Sequence, residues 1–253
     1  MFRYVDLFCG IGGFHQGVDR VSSKRNFESK CLFAADNDFY AAKVYERNYG
    51  VSAFFDLTKD ETHQQISIAI GDEGLTCLFA GFPCQPFSKA GDRQGFDNQV
   101  KGTLFFELLR IINKHKPSLV LLENVRNLKN HDEGNTWNTI KGALDKSGYS
   151  VEDTIISPNN IKKIPALRER FFILAFRSDL QLNEKISKIK ELNNVFFKTS
   201  IFAHSKIEYG LNSSFFNTCE QSNIDPKRIE VIEMWNELFH LLKDSNKNLI
   251  SPL

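Results

Sequence analysis

Short apolar runs recur along the chain, separated by longer stretches in which apolar residues fall three and four positions apart. The runs, rich in Val, Ile, Leu and Phe, predict strands near Tyr4–Phe8, Cys31–Ala35, Ala53–Phe55, Thr76–Ala80, Leu119–Leu122, Ser150–Ile156 and Phe171–Phe176. The wider spacing predicts helices over Asp38–Asn48, Thr103–His115 and Thr136–Lys146, with more helix filling much of the remaining intervals. Such alternation specifies an α/β fold around a mostly parallel sheet, because parallel neighbours need a long crossover and a helix supplies it. After Arg177 the alternation stops and Lys, Asn, Ser and Phe dominate an irregular stretch up to Pro226, which reads as a second lobe. A last amphipathic helix is expected over Lys227–Lys243, with Ile229, Ile232, Trp235, Leu238 and Leu242 on one face. No internal repeat or low-complexity tract interrupts the pattern.

Composition narrows the partners. The chain has 253 residues, of which 42% are hydrophobic and 25% charged, enough to bury a large core. Its formal net charge of +1 supplies no general attraction to phosphate, so a nucleic-acid role requires locally clustered Lys and Arg. The five cysteines, Cys9, Cys31, Cys77, Cys84 and Cys219, form no Cys-x-x-Cys pair, which argues against a disulfide framework or a zinc site, and no metal is expected. The N-terminus lacks a basic region followed by an apolar run, and no stretch reaches the roughly 18 apolar residues of a membrane span. A cytoplasmic protein with free thiols is expected.

Four clusters carry candidate chemistry, each at the end of an expected strand. The first strand runs into Asp6-Leu-Phe-Cys-Gly-Ile-Gly-Gly-Phe14, a glycine-rich turn that lets backbone approach a ligand, and Asp36 ends the second strand where an acid can hold ribose hydroxyls. The turn alone says only "nucleoside cofactor", and its spacing is not the dinucleotide fingerprint. Gly81-Phe-Pro-Cys-Gln-Pro-Phe-Ser88 follows another strand; prolines on both sides of Cys84 favour a stiff exposed loop over an inert core position. Glu123-Asn-Val-Arg-Asn127 follows Leu119–Leu122, so the Glu123 carboxyl should be partly desolvated and its pKa raised. Arg168-Glu-Arg170 precedes Phe171–Phe176 and presents two guanidinium groups on one side. Taken singly, each has a bland reading: a tight turn, a core cysteine, a capping carboxylate, surface charge. Their common position at strand ends of one sheet is what a single site requires.

In this order, from about Tyr4 to Arg177, the segments resemble the cytosine-5 DNA methyltransferases, especially the short bacterial enzymes of restriction-modification systems, and Gly102-Thr-Leu-Phe-Phe106 also fits. The resemblance implies a Rossmann-like fold dependent on S-adenosylmethionine with a seven-stranded sheet, methyl transfer to carbon 5 of cytosine in duplex DNA, and residues 1–178 as the catalytic domain. Residue by residue, Cys84 matches the nucleophile and Glu123 the carboxyl group that holds the target base. Arg168 and Arg170 match the arginine pair, with Arg170 nearer the base oxygen. Phe8, Gly10, Ile11 and Gly13 match the cofactor loop, Asp36 the ribose acid and Asp56 with Leu57 the adenine contact; Asn37, Pro83 and Leu104 complete the cofactor pocket. Gln85 and Ser88 would lie near an extruded nucleotide, and Arg93 and Lys101 would meet phosphate from a loop, Gln85–Lys101, hinged at Gly91 and Gly95.

The chain departs from the family pattern in three places. Asn37 stands where an aromatic or apolar residue packs on the adenine, and Ala166 where Pro-Gln precedes the arginine pair. The Arg-x-x-Thr and Gly-Asn-Ser/Ala-Val segments that close the family's cofactor pocket are not found, so residues 179–253 are expected to form a partial target-recognition or partner-docking lobe. A split enzyme with a complementary polypeptide or a truncated form is then expected. Alternatives are a transfer-RNA cytosine-5 methyltransferase, a non-catalytic DNA-binding relative, and a nicotinamide oxidoreductase suggested by the glycine turn alone.

Overall fold

The computed structural model describes residues 1–83, 104–158 and 168–180; all but Pro158 fall within one compact unit. Six strands make one sheet: β1 (Phe2–Leu7), β2 (Ser29–Ala35), β3 (Cys77–Ala80), β4 (Leu119–Val125), β5 (Tyr149–Ile156) and β6 (Arg170–Arg177). Their order is β2-β1-β3-β4-β6-β5, with β1–β2, β1–β3 and β3–β4 parallel and β6 antiparallel to both β4 and β5. Every strand but β6 therefore runs the same way. The crossover helices are α1 (Gly13–Arg25), α2 (Phe39–Tyr49), α3 (Asp60–Ile70), α4 (Leu104–His115) and α5 (Asn135–Lys146). The expected α/β sheet stands, but six strands, not seven, are present among the described residues.

The missing strand is Ala53–Phe55. Its apolar doublet makes a single parallel bridge, Asp36 to Phe54, before the chain turns at Asp56. Two other boundaries move for identifiable reasons. β1 stops at Leu7 because Phe8 takes a left-handed φ of 52°, which no strand accommodates. β4 runs on to Val125 because β6 pairs with it antiparallel through Val125–Arg170, so Glu123 sits within the strand and not after it, and Arg170 opens β6 instead of preceding it.

Local chemistry sets the helices. The Asp38 side chain accepts the Tyr40 and Ala41 amides at 2.9 and 3.0 Å and so starts α2, and Gly50 ends it in the left-handed region. In α4, Phe105, Leu108, Ile111 and Ile112 form the buried stripe. They meet Leu78, Val120, Leu122 and Ile173 from the sheet, with Ile140 and Leu144 of α5, in one apolar core. Each such side chain contributes about 1.5–3 kcal/mol by leaving water, so the sheet is a rigid base for its carboxyl edge. Among the described residues no helix is long and apolar enough to cross a membrane.

Candidate active site

The glycine turn is held open by backbone conformation and by one close contact. Phe8, Gly10 and Gly12 have φ of 52°, 53° and 95°. A Cβ on Gly12 would lie 2.2 Å from the Tyr49 ring, whose hydroxyl donates to the Gly12 carbonyl at 3.1 Å, and His15 stacks on that ring at 3.9 Å. Nothing lies within 4 Å of where a Gly10 Cβ would stand, and the Gly10 amide donates to Asp36 Oδ2 at 2.8 Å. Asp36 Oδ1 accepts the Asp38 amide at 2.8 Å, and the Asp36 amide donates to the Ala53 carbonyl at 2.7 Å. These contacts join Phe8, Gly10, Asp36 and the chain leading to Asp56 and Leu57. Asp56 Oδ1 accepts the Thr58 amide and hydroxyl at 2.9 and 2.8 Å, which holds its carboxyl below the usual range; Leu57 is buried. Ile11 is 63% exposed, Gly13 opens α1, Asn37 and Pro83 are exposed, and Leu104 is the first residue of α4. An open backbone cradle beside a carboxylate fits a nucleoside-bearing cofactor.

Under the turn lies a polar cluster in an otherwise apolar layer. Asp6 is fully buried and accepts the Tyr45 hydroxyl at 3.4 Å; burial pushes its carboxyl up to about 8. His15 Nδ1 meets the same hydroxyl at 2.7 Å.

The other half of the edge is built from charge. Glu123 Oε1 pairs with Arg170 Nε at 2.7 Å, and a Cβ on Gly81 would lie 3.3 Å from Glu123 Oε2 and 3.6 Å from the Phe8 carbonyl. Glycine at position 81 thus lets the carboxylate and the cofactor turn approach the same point. Desolvation raises the Glu123 pKa against the lowering effects of Arg170 and Arg168. Of the two arginines, Arg170 binds the carboxylate directly; the Arg168 amide donates to Ser157 Oγ at 3.3 Å. Glu169, between them, pairs with Arg126 at 2.5 Å.

Sequence reasoning missed Asn124. It is buried on β4 next to Glu123, and its amide Nδ2 donates to the Phe82 carbonyl at 2.8 Å, fixing the point where the Pro83–Cys84 segment departs. The signal was available, since an asparagine on the inward face of a strand needs a partner. Tyr45, read only as part of a helix, and Tyr49, one residue past that helix's expected end, form the floor of the glycine turn. Cys84, Gln85, Ser88, Arg93 and Lys101 lie outside the described residues, as does the helix expected over 227–243. The three described cysteines are free, and burial raises all three thiols: Cys9 and Cys77 strongly, Cys31 to about 12. Such thiols make poor nucleophiles.

Comparison with known proteins agrees with this geometry. The chain is 36% identical over 208 residues to the type II methyltransferase M.HhaI of Haemophilus parahaemolyticus, covering 82% of this chain and 59% of that enzyme. It is 41% identical over 184 residues to M.HpaII of Haemophilus parainfluenzae, covering 72% of this chain and 48% of that enzyme. It spans about half the length of the curated relatives it matches. Among solved structures, the S. pombe Dnmt2 methyltransferase superposes with a TM-score of 0.52 at 25% identity, over 70% of this chain and 51% of that one. A prophage-encoded putative DNA modification methyltransferase from E. coli reaches 0.55 at 19% identity over 72% and 48%, which speaks to the fold alone. The model of the C-5 cytosine-specific DNA methylases matches residues 2–248, and the chain belongs to that family.

Proposed function

We propose that the chain transfers a methyl group from S-adenosylmethionine to carbon 5 of a cytosine in duplex DNA, as the modification arm of a restriction-modification system. The observation that carries this reading is the Glu123 carboxyl, desolvated and paired with Arg170 at the edge where the glycine turn opens. Phe8, Gly10, Ile11, Gly13, Asp36, Asn37, Asp56, Leu57, Pro83 and Leu104 would hold the cofactor, which supplies an electrophilic methyl sulfonium.

Carbon 5 of cytosine is a weak nucleophile, and addition of the Cys84 thiolate to carbon 6 makes it an enamine carbon able to take the methyl group. Negative charge then builds on the ring. Glu123, with its raised proton affinity, donates to ring nitrogen 3, and Arg170 at the ring carbonyl stabilises the same charge. Loss of the carbon-5 proton expels Cys84. The base must leave the duplex for this chemistry; Gln85 and Ser88 would meet the extruded nucleotide, Arg93 and Lys101 the phosphates, and the 179–253 lobe would read the site.

The test is transfer of labelled methyl from S-adenosylmethionine to unmethylated duplex DNA, with transfer RNA offered in parallel, by the chain and its Cys84→Ser variant. Label on cytosine carbon 5 of DNA that requires Cys84 is expected. Label on RNA alone, or label undiminished by the substitution, would overturn the reading.

A further inference from the structure

A polar contact lies between the expected adenine side of the cofactor pocket and helices α3 and α4. His63, on the first turn of α3, is buried, and its Nε2 lies 2.8 Å from the Leu57 carbonyl and 2.9 Å from Glu107 Oε2 of α4. A single Nε2–H cannot point at both. The Leu57 carbonyl has the hydrogen-bond geometry, and Glu107 Oε2, though beside the ring, is a buried oxygen with no hydrogen bond among the described residues. It faces Arg110 at 3.8 Å, and Arg110 in turn binds Asp60 at 2.7 Å. The ring also borders a cavity of about 260 Å³ between α3 and α4, lined in part by Gln64, Arg110 and His115.

We infer that His63 is a positioning residue for the cofactor's adenine side, holding the Asp56–Leu57 turn against α3 by donating to the Leu57 carbonyl. The inference rests on the proposed reading of Asp56 and Leu57 as adenine contacts. The turn is also held by the Asp56 side chain on Thr58, by the Lys59 amide on the Asp56 carbonyl at 3.2 Å, by the Thr62 and His63 amides on the Lys59 carbonyl, and by the buried Leu57 side chain. His63 Nε2 adds a side-chain donor to the Leu57 carbonyl from α3, beside Glu107 of α4. Leu104, the other expected pocket residue nearby, begins the helix that carries Glu107.

The test uses the full chain with His63→Leu, which removes the donor, and His63→Gln, whose amide can still donate. Calorimetry with S-adenosylmethionine and hydrogen exchange of the segment 54–60 are read together. One lost hydrogen bond predicts a weakening of cofactor binding from a few-fold to about tenfold in His63→Leu, faster exchange in 54–60, and a transfer rate at saturating cofactor within about twofold of the parent. His63→Gln should restore most of the affinity and protection. Exchange and affinity unchanged in His63→Leu, or equal losses in both variants, would overturn the inference. Asp56→Ala separates the two readings. If it leaves affinity intact, the adenine assignment fails and the positioning role falls with it, while exchange still reports whether His63 anchors the turn.

Discussion

The two halves of the sheet's carboxyl edge are built by different means. On the β1–β2 side the geometry is conformational: positive φ at Phe8, Gly10 and Gly12, a ring pressed against Gly12, and backbone amides on Asp36. On the β4–β6 side it is electrostatic: Glu123 on Arg170, carried by two strands that pair antiparallel, and Arg126 on Glu169 just beyond their paired ends. A backbone cradle binds a constant ligand with little adjustment. A carboxylate poised between desolvation and two guanidinium groups can change its protonation during a reaction. Under the proposed function, binding would fall to the rigid half and proton movement to the responsive one.

The comparison breaks first at Glu123. Glu123→Gln keeps size and one hydrogen-bonding face but cannot donate a carboxyl proton, and methyl transfer should fall by about 10²–10⁴, the range of general acid–base contributions, with cofactor affinity unchanged. Comparable loss of cofactor affinity, measured by calorimetry, would show that the two halves are not separable. Next is Gly12→Ala, which places a Cβ 2.2 Å from the Tyr49 ring at a φ of 95°. It should cost about 1–3 kcal/mol in denaturant melts and weaken cofactor binding more than turnover. Adding Tyr49→Ala should recover the steric part and leave the conformational part. A third effect, at Asp6, is read in pH dependence. Its folded pKa, raised to about 8 by burial, lies above its ordinary value, so the folded chain takes up the proton more tightly. The stability this supplies is complete at acid pH below the ordinary carboxylate range and is lost as pH rises through about 8. Asp6→Asn removes that loss, so the melting temperature of the variant relative to the parent should rise between pH 5 and pH 9. A constant difference across that range would place the charge elsewhere.

Much of the cofactor half was legible from the sequence because it is local: a strand, a glycine turn and an acid one strand later. Glu123 and Arg170 were legible as residues but not as a pair within strands, because the apolar run ends at Leu122 while pairing with β6 carries β4 on through polar Glu123 and Asn124. Ala53–Phe55 read as a strand because two phenylalanines look like one, yet Phe55 turns inward on Phe33 and only one bridge forms. The supports stayed hidden. Asn124 on the Phe82 carbonyl, Tyr49 on Gly12 and His63 on the Leu57 carbonyl join residues from 6 to 42 positions apart, and no periodicity records such contacts.

The reversed direction of β6 bears on engineering. It starts at Arg170 beside the Glu123 carboxylate and ends where Phe176 faces Leu119, at the opposite rim of the sheet. Its eight residues span about 26 Å at strand rise, a full sheet height. A label or fused group attached at Ser178–Leu180 would therefore sit at the rim opposite Glu123 and Arg170.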